Sequence, residues 1–147
     1  MSASEEINCC FGCGAGNAQG MHLPFERDDA ARKIRGRFSL GEQFQGAPGF
    51  IHGGIIATVL DEVMSKVNLF RGVTAVTAEL SVKYFKPVRV GQQLIVEGFE
   101  IRQDGRNLFY EGEIRDPNGQ ILASGTGRFV EIDRERFGIS TDAKHTL

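Results

Sequence analysis

Within the apolar stretch Gly49 to Phe70, the groups able to do chemistry are His52, the pair Gly53-Gly54, Asp61 and Glu62. A carboxylate on an otherwise apolar helix is costly to bury unless something meets it, so Asp61 calls for a structural partner or a chemical use. Glu62 lies ~100° further round and four residues before Lys66, the spacing of an ordinary exposed ion pair. His52-Gly53-Gly54 brings backbone free of side chains to the start of a helix. Unpaired N–H groups there can approach a ligand's oxygen closely, which makes a candidate oxyanion site.

Gly54 and Asp61 share a helix face but stand about two turns apart, roughly 10 Å along the axis. One ester or thioester carbonyl cannot touch both. If both act in one reaction, the amides come from one chain and the carboxylate from another, and the site lies at a dimer interface.

The helix that must carry these groups has its own signature. Ile56, Val59, Leu60, Val63, Val67 and Phe70 fall on one broad face, and Gly54, Thr58, Asp61, Ser65 and Asn68 on a narrow opposite stripe. Ahead of it, Met21 to Glu26 and Arg32 to Leu40 read as two short strands joined by Asp28-Asp29-Ala30, and Gly41 to Gly49 as a loop. Behind it, Val76, Ala78, Leu80, Val82 and Tyr84 alternate with Thr77, Glu79, Ser81 and Lys83, which leaves Thr77 on the polar side. Leu94 to Arg102, Asn107 to Arg115 and Gln120 to Val130 follow as strands, divided by Asp104-Gly105 and Asp116-Pro117-Asn118-Gly119. Tight turns between successive strands mean an antiparallel meander. Gly98, Gly112, Gly125 and Gly127 inside strands allow a curved sheet to pass close to another element. The expected class is α+β, with an antiparallel sheet of five or six strands wrapped around one long central helix.

With 147 residues and 41% hydrophobic content, the chain forms one domain. It is expected to divide into a Cys/Gly-rich segment (1–20), the main domain (21–133) and a polar tail (134–147) whose last ten residues are expected to be mobile. A net charge of −2 without a basic block argues against nucleic acid as partner. Met1 to Glu6 shows neither basic start nor apolar run, so neither a signal peptide nor a membrane anchor is expected, and the expected location is cytoplasmic. Cys9, Cys10 and Cys13 are odd in number and clustered, which disfavours a disulfide framework. Cys10 and Cys13 form a Cys-x-x-Cys pair with His22 nearby. A structural zinc normally takes four ligands and this segment offers no second pair, so the expectation is a compact turn and no metal.

Phe44-Gln45-Gly46-Ala47-Pro48-Gly49-Phe50-Ile51-His52-Gly53-Gly54, followed by Ala57-Thr58 and Leu60-Asp61, resembles the hotdog-fold acyl-CoA thioesterases of the PaaI-like type. It is closer still to their branch similar to carboxyl-terminal modulator protein. Cys10-Phe11-Gly12-Cys13-Gly14, with Asn17 and Gly20-Met21, is similar to the N-terminal segment of bacterial members. The resemblance implies hydrolysis of an acyl-CoA thioester in a homodimer or dimer of dimers, with no cofactor. It implies that Asp61 is the catalytic carboxylate, as general base or as nucleophile, that the Gly53 N–H polarises the carbonyl, and that Thr77 orients water. His52 then fixes the helix start beside Gly54. Many relatives carry Asn or Gln where this chain has Gly46, with Gln45 one place earlier. Lys83, Lys86 and Arg89, at the end of the long strand, could meet coenzyme A phosphates. Two rival functions remain. A dehydratase or hydratase of acyl thioesters would pair a His with an acid at the substrate carbon, for which His52 is badly placed. A non-catalytic acyl-CoA-binding regulator would use the same pocket without turnover.

Overall fold

The computed structural model describes residues 7–139. The expectations resting on the first six residues, and on the polar tail from 140 onward, fall outside the described residues. The strands are β1 (Glu26–Asp28), β2 (Lys33–Phe38), β3 (Ala75–Tyr84), β4 (Leu94–Asp104), β5 (Asn107–Arg115) and β6 (Ile121–Glu131). The long helix α1 (Gly53–Ser65) lies between β2 and β3 and tightens into a 3-10 turn over Lys66–Phe70. All six strands form one antiparallel sheet in the order β1-β2-β4-β5-β6-β3, and α1 packs against it. This is the expected α+β arrangement.

The meander β4-β5-β6 follows from its turns. Gly105 (φ 58°) and Gly119 (φ 87°) take the left-handed conformation that tight reversals require, and Asp116 accepts at Oδ1 from the N–H groups of Asn118 (2.9 Å) and Gln120 (3.0 Å). Around Met21 the structure differs from the expected strand. Met21, Leu23 and Phe25 are buried in alternation, but the N–H groups of Met21 and Leu23 bond the carbonyls of Phe11 and Gly12. The segment is extended along the cysteine turn, and sheet pairing begins only at Glu26.

Helix and sheet meet over a row of glycines. Gly98 pairs with Gly112, and Gly112 with Gly125, so three adjacent strands are free of side chains along one line. Leu60, Val63 and Met64 settle into it. A Cβ at Gly98 would stand 2.6 Å from the Val63 carbonyl oxygen, a backbone atom that cannot swing aside. Gly98→Ala should therefore force α1 away from the sheet and lower stability by about 1–3 kcal/mol in chemical denaturation, with unchanged secondary structure by circular dichroism.

The buried residues of α1 are Ile56, Val59, Leu60, Val63 and Met64, with Val67 beyond it. The polar stripe is not continuous to Asn68, which is buried at 8% exposure and accepts from the Tyr110 hydroxyl (2.6 Å). After Ser65 the chain advances by about 120° per residue rather than 100°, and this turns Asn68 inward. Glu62 and Lys66 depart further from the expected exposed pair. Their side chains are 12% and 2% exposed and 3.9 Å apart, because the Cys/Gly-rich segment covers that side of the helix.

Candidate active site

The loop before α1 is fastened to itself. Gln45 and Ile51 form a β-bridge, Gly46 N–H bonds the Phe50 carbonyl (2.8 Å), and His52 N–H bonds that of Phe44 (2.8 Å). Gln45 Oε1 accepts from the N–H of Gly49 (3.1 Å), whose φ of 86° suits glycine. This places Gln45 as a brace of the loop.

His52 is the N-cap of α1. Its Nδ1 accepts from Gly54 N–H at 2.9 Å, which puts the ring proton on Nε2, and its carbonyl accepts from the N–H groups of Ile55 (3.0 Å) and Ile56 (3.1 Å). Of the first amides of the helix, the one left without a hydrogen bond among the described residues is that of Gly53, which is exposed. The glycine pair is thus divided in role. Gly54 is consumed by the cap, and Gly53 offers a donor at the positive end of a three-turn helix. Tyr84, read from sequence only as a strand residue, donates its hydroxyl to the Gly53 carbonyl (2.7 Å) and pins this turn to β3.

Asp61 lies in the third turn of α1, half-buried, and Thr77 Oγ1 donates to its Oδ1 at 2.7 Å. Burial raises the Asp61 pKa above the ordinary carboxylate value; the Thr77 hydrogen bond opposes this and the neighbouring Glu62 charge adds to it. Strict alternation along β3 would have turned Thr77 away from Leu80, Val82 and Tyr84. Instead the register with β6 slips between Thr77 and Glu79 and leaves Ala78 without a partner. This one-residue bulge restores Thr77 to the face that looks at the helix.

Eight residues separate Gly53 from Asp61 on the same helix, about 12 Å of rise, so one chain does not bring them together. The basic residues also part company. Lys83 pairs with Ser124 in the register that points Glu79 and Ser81 away from α1, Lys86 is exposed beyond β3, and the Arg89 guanidinium stacks over the Phe50 ring at 5.3 Å. On the other side of α1, the thiols of Cys10 and Cys13 lie beside Glu62, the ligand atoms of all three within 4.8 Å of one another. Burial and the Glu62 carboxylate push the Cys13 thiol up to about 11, partly offset by Lys66.

β3 is one of the two edge strands of the sheet, yet it is ten residues long and carries Val76, Leu80 and Tyr84 exposed, followed by exposed Phe85. A long apolar edge is a template for pairing with another chain.

Residues 48–123, just over half of the chain, match the Thioesterase superfamily. The mouse (Mus musculus) acyl-coenzyme A thioesterase THEM4 is 34% identical over 137 residues, covering 92% of this chain and 57% of the mouse protein. In the THEM4 proteins of mouse, Bos taurus, Rattus norvegicus and Xenopus laevis the chain spans between 46% and 57% of the whole length. The crystal structure of protein RHA08564, a thioesterase superfamily protein, has a TM-score of 0.76 at 29% identity, over 88% of this chain and 72% of that one. BH2602 of Bacillus halodurans, crystallised with CoA, has a TM-score of 0.66 at 27% identity, over 76% and 74% of the two chains. With a helix cradled by six antiparallel strands, an open amide at its N-terminus and a half-buried aspartate on its flank, this chain belongs to the thioesterase superfamily.

Proposed function

We propose that the protein hydrolyses acyl-CoA thioesters at a site shared between two copies of the chain. The observation that carries this is the division of labour along α1: an unengaged Gly53 amide at its start and, about 12 Å on, a carboxylate held by Thr77. The exposed apolar edge of β3 supplies the surface for the second copy. In this reading the Gly53 N–H of one protomer receives the thioester oxygen, and Asp61 of its partner drives the attack. Water adds to the carbonyl carbon as its proton passes to Asp61, negative charge moves onto the oxygen facing Gly53, and collapse breaks the C–S bond while that proton returns to the departing sulfur, releasing acid and coenzyme A thiol. The same ionised carboxylate serves whether it takes the water proton or attacks the carbonyl itself. The mouse relative's name and the CoA bound to BH2602 support the substrate class.

A panel of acyl-CoA substrates from short to long and aryl, followed by thiol release, tests this. Turnover of at least one member is the expected result. Tight binding across the panel without turnover would instead make the chain a regulator that binds acyl-CoA.

The acid limb of the pH profile follows from the same geometry. Because burial raises the Asp61 pKa, kcat/KM should fall on acidification at a pH above that of an exposed aspartate. Thr77→Val removes the hydrogen bond that favours the ionised form, so the limb should move to higher pH still, alongside a lower plateau. An unmoved limb would separate Thr77 from the ionisation that controls the rate.

A further inference from the structure

The cluster on the far side of α1 is not used by the proposed hydrolysis. The Cys10 Sγ stands 3.6 and 3.7 Å from the two oxygens of Glu62, and the ligand atoms of Cys10, Cys13 and Glu62 lie within 4.8 Å of one another. A zinc tetrahedron with bonds of about 2.3 Å to sulfur and 2.0 Å to oxygen spaces its sulfur and oxygen ligands about 3.5 Å apart and its sulfurs about 3.8 Å apart. The Cys10–Glu62 separation therefore already matches one edge of such a tetrahedron and Cys13 lies within about 1 Å of completing its face, although the groups come from segments about fifty residues apart in sequence.

The groups around the cluster fit metal-bound thiolates. Cys13 Sγ is approached by two N–H donors, Lys66 Nζ at 2.9 Å and Asn8 Nδ2 at 3.6 Å. Outer donors of this kind orient and stabilise sulfur ligands. Asn8 Oδ1 also accepts from Cys10 N–H (3.0 Å), and Gly14 N–H closes the turn onto the Cys10 carbonyl (2.8 Å), so the two thiols are held on one tight loop. Glu62, with only 12% of its side chain exposed, is met by thiols, which are weak donors, and by an ammonium 3.9 Å away. The loop lies close against the carboxylate, since a Cβ on Gly12 would stand 2.5 Å from Glu62 Oε2 and would push the Glu62 side chain aside. The nearby cation does not forbid a divalent metal. Two thiolates and a carboxylate carry −3, the metal +2 and Lys66 +1, so the assembly closes neutral.

We propose that Cys10, Cys13 and Glu62 bind a thiophilic divalent metal ion, of which zinc is the type, with the fourth position taken by water. Two sulfur ligands select against magnesium and calcium. Binding replaces the two thiol protons, which pass to solvent, and leaves every oxidation state unchanged. The ion fastens the N-terminal loop to the third turn of α1, beside the residue that holds the chemistry on the opposite flank. The absence of a second cysteine pair, which argued against a metal in the sequence, is answered by a carboxylate from the helix.

The test uses the full chain, reduced and stripped with a chelator, titrated with zinc against a chromophoric competitor and separately with cobalt(II). One ion per chain is expected, with a thiolate-to-cobalt charge-transfer band of two-sulfur intensity and a raised melting temperature in zinc. Cys10→Ser and Cys13→Ser should each weaken binding by at least ~10²-fold, and Glu62→Gln by ~10-fold or more, while Cys9→Ser, whose thiol is exposed and outside the cluster, leaves it unchanged. Should a serine variant fail to fold, the intensity of the cobalt band in the unaltered chain still counts the sulfurs. Zinc held equally by a Cys10→Ser/Cys13→Ser chain, binding lost with Cys9→Ser, or no stoichiometric binding by the reduced protein would overturn the proposal. None of these readouts depends on thioester hydrolysis, so its outcome and this one are separable.

Discussion

Asp61→Asn should lower kcat for acyl-CoA hydrolysis by at least ~10²-fold while leaving the fold intact. The amide keeps the shape of the carboxylate and can still accept at oxygen from the Thr77 hydroxyl, but it can neither take a proton from water nor form an anhydride. Burial raises the folded-state pKa of Asp61, so its protonated form is the one the fold favours. Its stabilising contribution is fully present below the unfolded aspartate pKa and is lost as pH rises through the higher folded value. The ionised form of the side chain is thus a burden on the fold, and Asn should leave the melting temperature unchanged or raise it. Both quantities are measured on one preparation. Near-normal turnover with a lowered melting temperature would mean that Asp61 is a scaffold residue and that the chemistry sits elsewhere.

What could be read from sequence, and what could not, divides along the reach of each signal. Helix α1, the meander and the alternation of β2 follow from periodicity and turn residues, which act over a few positions. The glycines at 98, 112 and 125 were legible as places of close approach, but only strand register shows that they form one line beneath Leu60, Val63 and Met64. Thr77 is the instructive case at the site. Alternation alone puts it on the polar face, and only the resemblance to the thioesterases marks it as a site residue. The bulge at Ala78 that turns it to Asp61 has no mark in the local sequence, since alanine fits a regular strand as well. Tyr84 escaped for a related reason: its contact is with a backbone carbonyl thirty-one residues away. Glu62 and Lys66 were misread because i,i+4 spacing describes one helix and says nothing of the loop that packs over it. In each case the missing term is tertiary, supplied by a segment distant in sequence.

A mixture of two inactive chains should regain activity if the site spans two protomers. One chain carries Asp61→Ala and keeps its Gly53 amide; the other carries Gly53→Val and keeps its carboxylate. A Cβ at Gly53 would meet nothing closer than the Tyr84 hydroxyl at 3.6 Å, an ordinary contact, so the substitution should crowd the approach to the amide while the helix start keeps its place. In a heterodimer, the intact amide of the first chain faces the intact carboxylate of the second, and the other site has neither. Random reassortment of equal amounts makes about half of the dimers mixed, each with one competent site of two, so about a quarter of full activity should return. The prediction is sharp because each parent alone is expected to lose at least ~10²-fold, Asp61→Ala through the missing charge and Gly53→Val through the oxyanion donor. If both groups act on one thioester they must come from different chains, since an amide and a carboxylate about 12 Å apart on one rigid element cannot both touch a single carbonyl. Mixed dimers shown to form through the edge of β3, yet without any recovered turnover, would mean that Gly53 and Asp61 do not act together in one site and would remove the basis for sharing it between chains.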